Sequence, residues 1–152
     1  IGLVGTQHWI EQATIPLDTI TVNINVEMIG RPDPLAGGPG GLWLTGHALS
    51  TLRESWTAAG LKVSPDLRPE QNFFQRSDNY ALAVRGVVAH TLSSYNLHTD
   101  YHRVSDEAET LDYAHMEAAV ATIAAAVRHT ADANADDAPA WKSGADPSER
   151  RR

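Results

Sequence analysis

The chain contains no cysteine among its 152 residues. That excludes disulfide scaffolds, thiolate zinc sites and cysteine nucleophiles, so any metal here must be held by His, Asp and Glu. Positive charge is also short: 12 Lys and Arg stand against 19 Asp and Glu, a formal charge of -7. Nucleic acid and anionic membrane both call for a basic surface, so neither is expected as a partner. A solvated acidic surface is sufficient reason for the balance. No apolar run approaches the ~20 residues of a membrane span. Position 1 is Ile1, not Met, and no charged-then-apolar leader opens the chain, which reads as the interior of a longer protein. What remains is the composition of an ordinary globular chain, sized for one domain or a large piece of one.

Periodicity organises the chain. Gly2–Gln12 reads as a short helix with Leu3, Trp9 and Ile10 as its apolar contacts. Ile20–Ile29 alternates as a strand, with Ile20, Val22, Ile24, Val26 and Met28 on one face and Thr21, Asn23, Asn25 and Glu27 on the other. Gly30–Gly41 is a Pro/Gly-rich loop, and Leu42–Leu44 a short strand. Ala48–Ala59 is an amphipathic helix stopped by Gly60, followed by a strand at Leu61–Val63. Tyr80–Arg85 reads as helix, Val87–Leu92 as a second good strand, and Ser93–Glu109 as a long polar loop. Asp112–His129 is the strongest helix, N-capped by Asp112, with Met116, Val120, Ile123 and Val127 as its buried stripe. The Ala/Asp/Ser-rich stretch 132–152 is expected to be a disordered tail, leaving 1–131 as the folded part. Alternating strands and helices predict an α/β layered fold, in which function gathers beyond the carboxyl ends of the strands.

Two segments fit that rule. Glu27 closes the first strand, where a buried carboxylate needs a partner and a metal is one such partner; an edge strand with one wet face is the plainer reading. The loop Leu97–Asp106 packs His98, Asp100, Tyr101, His102 and Asp106 into a short span. Imidazole is a standard zinc ligand oriented by a neighbouring carboxylate, and a solvated His-rich loop is again the plainer reading. In the third notable segment, Asn72–Tyr80, Phe73 and Phe74 read as core anchors and Asp78 as a helix cap. The other histidines, His8, His47, His90, His115 and His129, have no partner at useful spacing.

Four segments in order resemble the bacterial di-zinc aminopeptidases of metallopeptidase clan MH, the leucyl and aminopeptidase-Y-like family. "IGLVGTQHWIEQATIPLDTI" looks like the helix and turn after the family's Glu-Glu pair. "VNINVEMIGRPD" looks like its metal strand, Asn-x-Asp/Glu-Met-x-Gly. "NFFQRSDNYALAVRGV" resembles its Arg-Ser-Asp-His loop, and "DYHRVSDEAETLDYAHM" its Tyr-His-Thr-x-Ser-Asp-Thr segment. The resemblance runs from Ile1 to the end of the last helix. It implies a mixed central β-sheet flanked by helices, of zinc-exopeptidase type, present as its C-terminal portion. It implies Glu27 as ligand of one zinc and His102 as ligand of the other, two Zn2+ per intact domain. Tyr101 would sit beside the reacting carbonyl, and Arg76, Ser77 and Asp78 would border the pocket for the substrate's N-terminal residue. Peptide or protein N-termini are the implied substrate and hydrolysis the implied reaction.

There are departures from the family's pattern. Glu27 stands where many members have Asp, Asn79 where many have His, and Arg103 where many have Thr. The family's His-x-Asp and Glu-Glu residues, which include the general base, lie upstream of Ile1. The chain alone is therefore expected to bind zinc poorly, to lack activity and to expose sheet edges that pair with other chains. Export from the cell is expected by analogy with relatives. A glutaminyl cyclase with one zinc, a metal-free protein-binding relative and a related di-zinc carboxypeptidase stay open as alternatives.

Overall fold

The computed structural model describes residues 3–149. Among these residues four strands form one mixed sheet: β1 (Val22–Val26), β2 (Leu42–Leu44), β3 (Val63–Pro65) and β4 (Val88–Ser93), in the order β1-β4-β2-β3. β1 runs parallel to β4, with Val22 opposite Val88 and Val26 opposite Leu92. β2 is parallel to β3 and antiparallel to β4. β4 is thus central and buried along its whole length. A strand covered on both faces must satisfy its own polar side chains from within, and His90, Thr91 and Ser93 impose that demand here.

Helices cover both faces. α1 (Val4–Glu11), α2 (Leu52–Ala58), α3 (Phe73–Arg76), α4 (Asn79–Ala83) and α5 (Tyr113–Ala131) follow in chain order with the strands between them. On one face Leu42, Leu44 and Leu92 pack with Leu52 and Trp56 of α2 and Ala119 and Ala126 of α5; Val22, Ile24, Val63 and Ile123 are among the others in this cluster. On the other, Val87 and Ala89 pack with Phe74, Leu82 and Ala83, joined by Ile10, Leu17, Ile20 and Trp141. Ala89 and Leu92 have opposite parity along β4, so the sheet separates the two clusters. α2 starts at Leu52 because Gly46–Leu49 forms a turn, Leu49 N–H donating to Gly46 O at 2.8 Å, and Leu49 packs with the opposite cluster. The expected helix start at Gly2 lies outside the described residues, and Trp9 is exposed rather than packed.

The α5 stripe differs from the expected one. His115, Ala119 and Ala126 are buried and Ile123 packs beside them, while Val120 and Val127 are 52% and 44% exposed. Small alanines let the helix axis approach the sheet, so the buried face is rotated toward them despite the larger valines. The expected cap holds: Asp112 Oδ1 accepts from His115 N–H at 2.9 Å.

The disorder expected over 132–152 is not what the structure has over 138–149. This segment pairs with the stretch just before α2 through an isolated bridge between Ser50 and Trp141, and Lys142 N–H donates to Leu49 O at 2.9 Å. The cause is Trp141. Its ring packs 5.3 Å from that of His90 and edge-on to Phe74, and its indole N–H donates to Gly86 O at 3.1 Å. β1 is an edge strand of the described sheet, with Val26 exposed. No helix among the described residues is long and apolar enough to cross a membrane.

Candidate active site

Because β1 and β4 are parallel, their carboxyl ends emerge side by side. Glu27 follows β1 directly, its N–H still donating to Leu92 O at 3.2 Å. The next residue, Met28, has φ 57°, in the left-handed region that non-glycine residues seldom occupy. The pleat ends there. Glu27 and Met28, which a continued strand would send to opposite faces, both line one cleft of about 100 Å³. Phe73, Arg76, Ser77, Asn96, Leu97 and Tyr101 form the rest of its wall.

The Glu27 carboxylate is held on both oxygens. Oε1 accepts from the Ser77 hydroxyl at 2.7 Å and Oε2 from Asn25 Nδ2 at 3.2 Å. Asn25 Nδ2 also donates to Thr91 Oγ1 at 3.0 Å, and that hydroxyl donates to Asn79 Oδ1 at 2.8 Å. Asn79 in turn donates to the carbonyls of Phe74 and Ala89. The face of β1 that alternation marks as polar is therefore not an open wet face near its end. It is a ladder running from α4 across β4 to Glu27. Among the described residues Glu27 forms no ion pair.

The loop between β4 and α5 closes the other side. Tyr101 lines the cleft at 40% exposure. His102 is exposed, has φ 57°, and stacks its ring on that of Tyr101 at 3.9 Å between centroids and 18° between planes. His98 meets Tyr101 edge-on at 6.2 Å. Arg31 reaches this loop from the β1 side, donating to Asp106 Oδ1 at 3.0 Å, to the Thr110 hydroxyl and toward His98 Nε2 at 3.3 Å. Arginine has no acceptor, so that nitrogen of His98 accepts and the ring proton sits on Nδ1.

Of the residues implied by the resemblance, Glu27, Arg76, Ser77 and Tyr101 share the cleft, and His102 adjoins it through Tyr101. Arg76 extends over the Phe73 ring at 5.2 Å and donates to Gln71 O at 3.1 Å. Ser77 is buried and faces Glu27. Asp78 is not among the cleft walls: it accepts from the Thr6 hydroxyl of α1 at 2.6 Å and makes no side-chain cap on α4, contrary to its expected role as a cap. Arg31 was not singled out in the sequence, because its side-chain partners lie far along the chain; Asn96, also part of the cleft wall, was not singled out either.

Glu27 and His102 can each offer one metal bond. Among the described residues no group of three or more His, Asp or Glu converges on one point, so this donor set falls short of the three protein ligands of a catalytic zinc. Most of the other histidines have partners of their own. His90 Nδ1–H donates to Thr45 O at 2.8 Å and its Nε2 accepts from the Ser50 hydroxyl at 2.7 Å. Burial pushes its pKa down to about 4. His115 Nδ1 accepts from Gly40 N–H at 2.7 Å, and burial lowers its pKa also. His47 Nδ1 accepts from Asp66 N–H at 3.2 Å; burial first, and then the charge of Arg53, lowers its pKa. His129 Nε2 meets the Ser55 hydroxyl at 2.9 Å.

The fold has a solved counterpart in BSAP, a zinc aminopeptidase from Bacillus subtilis, with a TM-score of 0.62 at 19% identity. The alignment covers 90% of this chain and 35% of that one, so the chain spans about a third of the length of the enzyme it resembles. At this identity the likeness establishes the mixed sheet with flanking helices. No curated protein matches the chain. Residues 1–127 match Peptidase family M28. That match takes in the Glu27 strand end, the Ser77 segment and the Tyr101–His102 loop together, and the chain belongs to peptidase family M28.

Proposed function

We propose that this chain supplies the C-terminal part of a zinc-dependent aminopeptidase that hydrolyses the first peptide bond of peptides or proteins. The observation that carries the reading is the shared cleft at the carboxyl ends of β1 and β4, where Glu27 and Tyr101 face one space and His102 stacks on Tyr101. Glu27 and His102 each give one ligand, to a different one of two zinc ions. The remaining ligands and the general base come from sequence outside these 152 residues. When bound, such ions supply Lewis-acid polarisation of the scissile carbonyl and activation of a water.

The chain's own residues have narrower tasks. Ser77 and Asn25 each bond one Glu27 oxygen and so fix the plane of the carboxylate. Tyr101 offers its hydroxyl to the carbonyl oxygen, where negative charge grows as the bond is attacked. Met28, Phe73 and Leu97 give the cleft apolar walls that receive the N-terminal side chain. Arg76 borders its mouth.

The test uses the longer protein that carries this sequence. Hydrolysis of aminoacyl anilides should require zinc, stop with a chelator and return on adding zinc. Glu27→Ala and His102→Ala should each lower kcat/KM by about 10³-fold or more, as expected for loss of metal assistance. Full activity in both variants would end the assignment. The isolated 152-residue chain should bind zinc weakly and leave the same substrates intact.

A further inference from the structure

We propose that Arg31 is a positioning residue: it ties the loop bearing Tyr101 and His102 to the strand end bearing Glu27, and so sets the spacing of the two ligands. The role at the metal rests on the function proposed above. The tether itself rests on geometry alone.

The turn after β1 holds both ends of the loop by its backbone. Arg31 O accepts from Tyr95 N–H at 3.2 Å and from the Ser94 hydroxyl at 2.8 Å, and Gly30 O accepts from Asp112 N–H at 2.9 Å. Between those ends, residues 101–110 are all exposed. The loop's internal ties are local, such as the Ser105 hydroxyl on Asp100 Oδ1 at 2.8 Å, and Tyr113 of α5 reaches only Ala108 O. The Arg31 guanidinium spans what is left. It meets Asp100 at 3.7 Å, Asp106 at 3.0 Å, Thr110 and His98, and so brackets Tyr101 and His102 from both sides. A planar fork with five donors can hold several partners at once, which an ammonium cannot do in the same geometry.

Arg31 is four residues from Glu27 and mostly covered, whereas its acidic partners are partly exposed. Ion pairs of that kind add little to global stability. Their effect is local, on whether a long exposed loop keeps its place. One short segment thus carries a ligand and fixes the loop that carries the other.

The experiment compares the longer protein with its Arg31→Ala and Arg31→Lys variants, with Arg85→Ala as a control. Three quantities are read: trypsin cleavage after Arg103 in the exposed loop, zinc affinity, and kcat apart from KM. Loss of two modest ion pairs should speed cleavage after Arg103 by about tenfold in Arg31→Ala, with little change in melting temperature. Zinc affinity and kcat should fall by about 10- to 100-fold, the range for residues that orient ligands. Arg31→Lys should recover part of the loss and Arg85→Ala should match wild type. Unchanged cleavage after Arg103 overturns the tether. Faster cleavage with unchanged zinc affinity and kcat overturns the role at the metal. If the wild-type protein itself neither binds zinc nor releases N-terminal residues, the functional reading fails, and cleavage after Arg103 still decides the tether.

Discussion

Halfway along β4, His90 is wholly buried; it is bonded to the equally buried Ser50 and to Thr45 O, and Trp141 packs against its ring. At the carboxyl end of the same strand pair, Tyr101 and His102 are exposed and the Glu27 carboxylate borders an open cleft. Both places set a histidine ring against a hydroxyl-bearing residue, so residue type alone does not tell them apart. The difference lies in what is left over. The His90 ring has both nitrogens engaged inside the protein, and its proton is held off by burial. Its interactions go into the fold. In the cleft the polar groups are oriented and still open to a ligand, as chemistry requires.

Each side of that contrast can be broken separately. Tyr101→Phe should lower kcat of the longer protein by about 10²- to 10³-fold, the scale of one lost oxyanion donor, while its melting temperature stays put. His90→Ala should do the reverse. It leaves the Ser50 hydroxyl and Thr45 O without their partner and opens a cavity, at a cost of about 3 kcal/mol in chemical denaturation, with the specific activity of folded molecules preserved. An inactive but stable His90→Ala protein would erase the distinction. Ser77→Ala should weaken zinc binding by about tenfold, since it frees one oxygen of Glu27.

The smallest effect is on pH. His90 has its folded pKa at about 4, below the ordinary 6.5 of the unfolded chain, so between those values the unfolded state binds more protons. The stability tied to its neutral form is fully present above pH 6.5 and is lost as pH falls toward 4. Near pH 5.5 the loss should be about 1 kcal/mol, and His90→Ala should flatten that part of the profile.

Local pattern found the elements whose cause is local. Leu42–Leu44 is bracketed by glycines before and Thr45 after, and its limits agree with β2. Asp112 caps α5 as its residue type suggests. Pattern failed where size matters more than hydrophobicity: Ala119 and Ala126 carry little weight in a periodicity count, yet they are what lets α5 lie close. It failed again where one aromatic outweighs its neighbours, as Trp141 does within an Ala- and Asp-rich stretch. In the cleft, Glu27 and the Tyr101–His102 pair became candidates for specific roles only through family resemblance. Asn25 stands within the quoted strand segment, but the long-range bonds that support the cleft had no signature. Asn25 meets Thr91 across 66 positions, and Arg31 meets Asp106 and Thr110 across 75 and 79. Spacing within a short window carries no trace of such pairs.

The left-handed turn at Met28 has one further consequence, which concerns chirality. An L-residue resists φ near 57° because its Cβ crowds the carbonyl that follows, whereas the mirror-image amino acid favours it. Glycine at this position would relieve the turn and strip the thioether from the cleft wall. D-methionine would relieve the same turn and keep the thioether, so the pair of substitutions would separate how much of the cleft's shape is owed to handedness and how much to the side chain it carries.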